Sequence, residues 1–479
     1  MKLHEYARYD AVGLRNLIRT GEVRAGEVEA AARQALALVN PEVNGLALPL
    51  FRPALDHAAD GPFTGVPFLI KDHGPMAEGV PFTLGSRSIP GIAARHDTDL
   101  MARFRAAGLV TLGLTTVPEM CLSFATEPLR YGPARNPWDP ARGAGGSSGG
   151  AAALVAAGAV PIAHASDGAG SIRVPASCCG LVGLKPSRGR VPCGPDAGEP
   201  MLGMAYEFAL TRTVRDAAHL LDAVHGPGIG DKYTAPPPRR PYAAELGARP
   251  GRLRVAVTTA AWSGAAVDAP VAAAAVQAGR VLEQAGHQVE AAGPYVDWDA
   301  VTRSCVAEGV AIASTLLLAP RRPDRALMEA VSRQFLRTAE QYSALDLLAA
   351  FDAQNRVTRS VSAFFTDYDV LVTPTLGRLP APHGTLDYDD PEHTVFTWLA
   401  AMAEYGSFTQ VFNVTGHPAI SLPLGEAGGG LPIGVQLAAP YGREDLLFQV
   451  AAYLEQAMPW QDRLPPVWSL YEERGATSL

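Results

Sequence analysis

Between Gly143 and Arg190 the chain carries two glycine-rich serine sites, Gly145-Gly146-Ser147-Ser148-Gly149-Gly150 and Asp167-Gly168-Ala169-Gly170-Ser171-Ile172-Arg173, and few folds need two such sites so close together. An alanine-rich run and a short apolar strand, Val160 to Ala165, separate them. A serine on a glycine turn exposes its hydroxyl and leaves nearby backbone N–H groups unshielded, and a nucleophile with an oxyanion hole requires both. What such a pair still needs is a base.

No histidine adjoins either serine, but upstream Gly65-Val66-Pro67-Phe68-Leu69-Ile70-Lys71-Asp72 reads as a buried strand ending in lysine. Of 40 basic residues only four are lysine (Lys2, Lys71, Lys185, Lys232), so a chain that favours arginine has placed a lysine at this point. A guanidinium stays protonated at any working pH, whereas a desolvated ammonium can lose its proton and serve as a base. Asp72 would oppose that only if it shared Lys71's side, and neighbouring strand residues point to opposite faces.

Other readings of these residues stay open at this level. Ser147 or Ser148 fits the cap of a helix running from Ala151 to Ala157. Gly145 to Gly149 formally matches the Gly-x-Ser-x-Gly elbow, but that turn needs an apolar strand before it, and Pro137-Trp138-Asp139-Pro140 is none. Neither a phosphate loop nor a dinucleotide fingerprint is met, and the eleven histidines show no metal-ligand spacing, so no cofactor and no metal are expected.

These motifs resemble the amidase signature family, whose enzymes use a Ser-Ser-Lys triad. The resemblance also takes in Asn136-Pro137-Trp138-Asp139-Pro140, Cys179-Gly180-Leu181-Val182-Gly183-Leu184-Lys185-Pro186, Thr373-Pro374-Thr375, Asn413-Val414-Thr415-Gly416-His417-Pro418 and Gly434-Val435-Gln436. It implies that Ser171 is the acylated nucleophile, Ser147 the bridging serine and Lys71 the terminal base. The N–H groups of Gly168, Ala169, Gly170 and Ser171 would form the oxyanion hole, and the Gly146–Ser147 peptide bond would be cis. Ala169 stands where the family commonly has glycine, so either it keeps negative φ or the turn is reshaped. Ser148 is expected to assist by hydrogen bonding, Asp167 and Arg173 to brace the turn, and Lys185 to be structural.

The implied fold is α/β, a single domain around a large mixed, twisted sheet with helices on both faces. It would cover residues 1–479, with a catalytic half over 1–225, a Gly/Pro-rich loop over 226–250, and a second half over 251–479 completing sheet and pocket. Local patterns agree: helical periodicity near 10–20, 25–39 and 97–107, a strand over 109–114, and a helix capped by Asp268 with Pro270 in its first turn. At 479 residues, 48% hydrophobic and net charge −8, the chain can bury a large core and has no electrostatic reason to bind nucleic acid. Its start reads as amphipathic helices and no leader, and no apolar run is expected to span a membrane. Five sparse cysteines, with Cys178 and Cys179 adjacent, read as free thiols of a cytoplasmic protein.

The expected partner is a small-molecule amide, with a homodimer left open. Candidate pocket loops supply Phe124, Tyr131, Met201, Cys305 and Trp398, together with Met204, Met402 and Phe408, which favours an uncharged or partly apolar amide. Core packing is an equal reading of any one of them. Within the family, Ala165 to Gly180 and the mid-chain Cys305 look most similar to amidases acting on 6-aminohexanoate oligomers of nylon, in which a mid-chain cysteine lies near the substrate. Aryl acylamidase and the glutaminase A subunit of a tRNA-dependent amidotransferase are the alternatives.

Overall fold

The apolar run before Lys71 forms the strand Pro67–Lys71 (β1), buried along its whole length, and it lies parallel to Val110–Thr115 (β2) on one side and Ile162–Asp167 (β3) on the other. The chain continues through Val182–Lys185 (β4), Tyr206–Thr211 (β5), Arg254–Val257 (β6), Gln288–Ala291 (β7), Val370–Pro374 (β8), Ala419–Glu426 (β9) and Pro432–Ala438 (β10). These strands join in one ten-stranded sheet in the order β7-β6-β8-β10-β9-β4-β5-β3-β1-β2. It is mixed: β6 runs parallel to β7 and β8, whereas β3, β5, β4, β9, β10 and β8 pair antiparallel in succession. This computed structural model describes residues 1–320 and 322–469, so Arg321 and the last ten residues of the expected domain lie outside it.

Strands from both halves share that sheet, joined where β4 meets β9. The Gly/Pro-rich stretch between Gly226 and Pro241 forms no helix or strand, as its composition implies, yet it interrupts no core. Helices flank the sheet. Those that matter for the site are Gly149–Ala156 (α1), Arg173–Cys179 (α2), Trp298–Leu318 (α3), Ala330–Gln341 (α4), Ala344–Phe364 (α5), Val395–Tyr405 (α6) and Gln410–Thr415 (α7).

Two expectations need correction. Asp268 occupies the cap position of helix Ala269–Gln284, with proline in its first turn, but its carboxylate accepts from the N–H of Leu379 at 3.3 Å and does not cap the helix. And α3 is long and apolar enough by length and composition to cross a membrane. In this fold it packs against α4 and α5.

Topology explains why distant residues meet. Because β1 and β3 are parallel and in register at Phe68–Ile162 and Leu69–Ala163, both release the chain at the same end of the sheet. Lys71 ends one strand there, and Ser166 and Asp167 end the other.

Candidate active site

Lys71 is fully buried, and its Nζ lies 2.7 Å from Ser147 Oγ and 2.8 Å from Ser166 Oγ. Burial lowers the pKa of this ammonium, while Cys121, Glu207 and Asp167 pull it the other way. Asp72 faces elsewhere, as strand alternation requires: its carboxylate accepts from Thr83 N–H at 2.8 Å and from Gly85 N–H at 3.2 Å. Behind the lysine, His164 Nδ1 accepts the Lys71 N–H at 3.4 Å, which leaves Nε2 to donate to Glu207 Oε2 at 2.6 Å. Burial holds His164 well below its usual pKa and raises Glu207 to about 7.

The Gly146–Ser147 bond is cis. Thr126 pins this turn, its hydroxyl donating to Gly145 C=O at 2.9 Å and accepting from Gly149 N–H at 3.1 Å. Ser148 stands at the N-cap of α1 without capping it, its hydroxyl donating instead to Ser166 C=O at 3.3 Å.

The second turn leaves the end of β3. The backbone N–H groups of Gly168, Ala169, Gly170 and Ser171 have no acceptor among the described residues. Ala169 is not among the residues with positive φ, so the non-glycine position is accommodated without strain. Gly170 has φ 148°, and a Cβ there would come within 2.4 Å of Thr409 Oγ1, which donates to Ala169 C=O at 2.7 Å. Asp167 and Arg173, both fully buried, form a two-point ion pair at 2.8 and 2.9 Å. Arg173 also donates to Thr409 C=O at 2.9 Å and Gln436 Oε1 at 2.8 Å, while Asn413 Nδ2 donates to Asp167 Oδ1 at 2.8 Å. These bonds form a network tying the turn to α7 and β10. Lys185 sits apart, its Nζ 3.7 Å above the Tyr206 ring.

Ser147 and Ser171 open onto one cavity, about 660 Å³ including its open mouth, without hydrogen-bonding each other. Phe124, Met201, Met402 and Cys305 line it. Tyr131 and Trp398 do not. The Tyr131 hydroxyl is held 2.7 Å from Thr83 Oγ1 beside Asp72, and Trp398 is buried with its indole N–H donating to Leu122 C=O at 2.8 Å and its ring against Tyr388. Phe408 packs edge-on to Trp262, and Met204 takes the Gln354 amide. Two polar lining residues, Glu308 and Gln410, were not legible as site residues in the sequence. Glu308 lies one turn beyond Cys305 on α3, a spacing that puts both on one face. Among the described residues no group of three or more histidines, cysteines, aspartates or glutamates is arranged to hold a metal ion. All five cysteines are free thiols.

Comparison with known proteins places this geometry. Residues 28–448 match the amidase family. The chain is 40% identical over 478 residues to the 6-aminohexanoate-cyclic-dimer hydrolase of Paenarthrobacter ureafaciens, covering 95% of this chain and 96% of that one. A solved structure of 6-aminohexanoate cyclic dimer hydrolase with substrate superposes with a TM-score of 0.91 at 39% identity, covering 96% of this chain and 99% of that one. A bacterial aryl acylamidase of the amidase signature family gives 0.84 at 25%, covering 95% and 97%.

Proposed function

This chain belongs to the amidase family and is an amidohydrolase, and from that premise we propose that it cleaves a small carboxamide through an acyl-enzyme on Ser171. Neutral Lys71 accepts the Ser147 proton as Ser147 takes that of Ser171. The Ser171 oxygen attacks the carbonyl carbon, the C–N bond breaks, and the same relay returns the proton to the leaving amine. Water then enters by the reverse route and frees the acid. The unpartnered N–H groups from Gly168 to Ser171 hold the developing oxyanion.

The observation that carries this reading is the 2.7 Å contact of a fully buried lysine with Ser147, on the cavity that Ser171 shares. The mostly apolar lining and the likeness to enzymes named for 6-aminohexanoate cyclic dimer support that cyclic dimer, or a related nylon oligomer, as substrate. A glutaminase role is disfavoured because, among the described residues, no lysine, arginine or histidine lines the cavity to receive the α-carboxylate of glutamine. Free thiols at all five cysteines suit a reducing, cytoplasmic setting.

The test is hydrolysis of a panel of aliphatic, aryl and cyclic or linear 6-aminohexanoate amides by wild type and Ser171→Ala. Turnover that vanishes in the variant supports the reading, and substantial residual turnover removes Ser171 from its role.

A further inference from the structure

One lining residue of the mostly apolar cavity carries a carboxyl group. Glu308 reaches the cavity from α3 and is almost fully buried. It makes no hydrogen bond and no ion pair with any described residue. Its Oε1 is pressed against the nucleophile turn, where a Cβ on Gly168 would approach it to 2.2 Å. The glycine at 168 therefore makes room for a carboxyl beside the reacting groups. Gln410 Oε1 is buried, its residue lines the same cavity, and it too lacks a partner among the described residues. Among the described residues no cation lines the cavity to satisfy either oxygen.

A buried carboxyl without a partner is unfavourable, and burial together with Asp167 raises the Glu308 pKa to about 8. A structural carboxyl in an apolar helix would be expected to find a donor within the protein, as Asp167 does in Arg173. This one faces the substrate space instead. We propose that Glu308, with Gln410 on the same cavity, is the specificity determinant for amides that carry an amine, whose ammonium group it receives while Ser171 attacks the carbonyl. The inference rests on the amidase reading above and sets, within its substrate class, a preference for amides with a free ω-amine, such as linear 6-aminohexanoate oligomers, over the amine-free cyclic dimer.

Two matched pairs test it: 6-aminohexanamide against heptanamide, with the amine on the acyl side, and N-(5-aminopentyl)acetamide against N-hexylacetamide, with the amine on the leaving side. Within each pair an ammonium replaces a methyl group. The wild type is expected to prefer the amine in at least one pair, and Glu308→Gln to reduce that preference by about tenfold or more in kcat/KM while the methyl partner changes little. Binding of the same pairs to Ser171→Ala by calorimetry reads recognition without turnover. Glu308→Leu, matched in its apolar surroundings, guards against a variant that fails to fold, and it should lose the preference equally. Equal handling of amine and methyl forms by the wild type, or a preference that survives both Glu308 variants, overturns the proposal while leaving the amidase reading intact. Hydrolysis of no amide at all, with amine selectivity retained in binding, would count against the amidase reading and uphold Glu308 as the amine site.

Discussion

Lys71 Nζ lies 2.7 Å from Ser147 Oγ, with both residues buried. A relay through this contact needs the lysine neutral. Burial lowers its pKa, against the pull of Cys121, Glu207 and Asp167, and burial likewise lowers the two histidines that interact with it, His73 to about 4 and His164 well below its usual value. Below its folded pKa the lysine is protonated and cannot accept, so kcat/KM should rise with pH to a plateau whose midpoint lies below 10.5, the ordinary lysine value. Lys71→Arg, which cannot become neutral, should lose about 10³-fold or more in kcat at every pH. A flat pH profile, or an active arginine variant, would remove the lysine from the relay.

Ser166 predicts a second effect. A neutral lysine has two N–H bonds and one lone pair, and donation to Ser166 Oγ at 2.8 Å and Ser166 C=O at 3.5 Å leaves the lone pair for Ser147. Ser166→Ala should lower kcat about tenfold with KM little changed, and Ser166→Thr should restore it, since threonine keeps the hydroxyl. A fall in KM-dependent terms alone, or no rescue by threonine, would mean that Ser166 only fills space.

The buried Asp167–Arg173 pair makes a prediction about stability. Removing one partner leaves an uncompensated charge, which costs about 3 to 5 kcal/mol in comparable buried pairs. Asp167→Asn should therefore lower unfolding stability by that order in denaturant titration. Arg173→Lys should not rescue the network, because an ammonium cannot reproduce the planar fork that reaches Asp167, Thr409 C=O and Gln436 together. A loss well under 1 kcal/mol in Asp167→Asn would show that the turn holds without the pair.

How much of this was visible in the chain depends on where each signal lies. Lys71, Ser147 and Ser171 were legible because each sits in a local pattern, a rare lysine after an apolar run and serines among glycines. The strand ends that join them follow from the same patterns. Asn413 and Gln436 stood in motifs of the resemblance and Thr409 in none, but none of the three was legible as a partner of the turn, since they return to it from more than 230 positions away. Tyr131 and Trp398 illustrate the opposite failure: an aromatic side chain on a cleft loop and one in the core give the same sequence signal, and only the Thr83 and Leu122 hydrogen bonds separate them. Asp268 stands where a capping residue should, but its carboxylate is drawn to the Leu379 N–H, a contact that no local pattern encodes.

Gly170 gives the last prediction. Its φ of 148° is open to glycine and strained for other residues, and a Cβ would drive into Thr409 at 2.4 Å. Thr409 Oγ1 holds Ala169 C=O, so the intrusion would displace the hydroxyl that orients the peptide between Ala169 and Gly170 and turn its N–H away from the oxyanion position. Gly170→Ala should then cost at least about 10²-fold in kcat, the scale of losing one oxyanion donor, while circular dichroism stays that of the folded protein. Thr409→Val separates the two causes. It keeps the bulk and removes the hydrogen bond, so a loss in kcat comparable to that of Gly170→Ala would assign the effect to the orientation of the turn. If Thr409→Val is fully active and only Gly170→Ala fails, backbone strain at residue 170 is the cause and the threonine hydroxyl has no part in holding the turn.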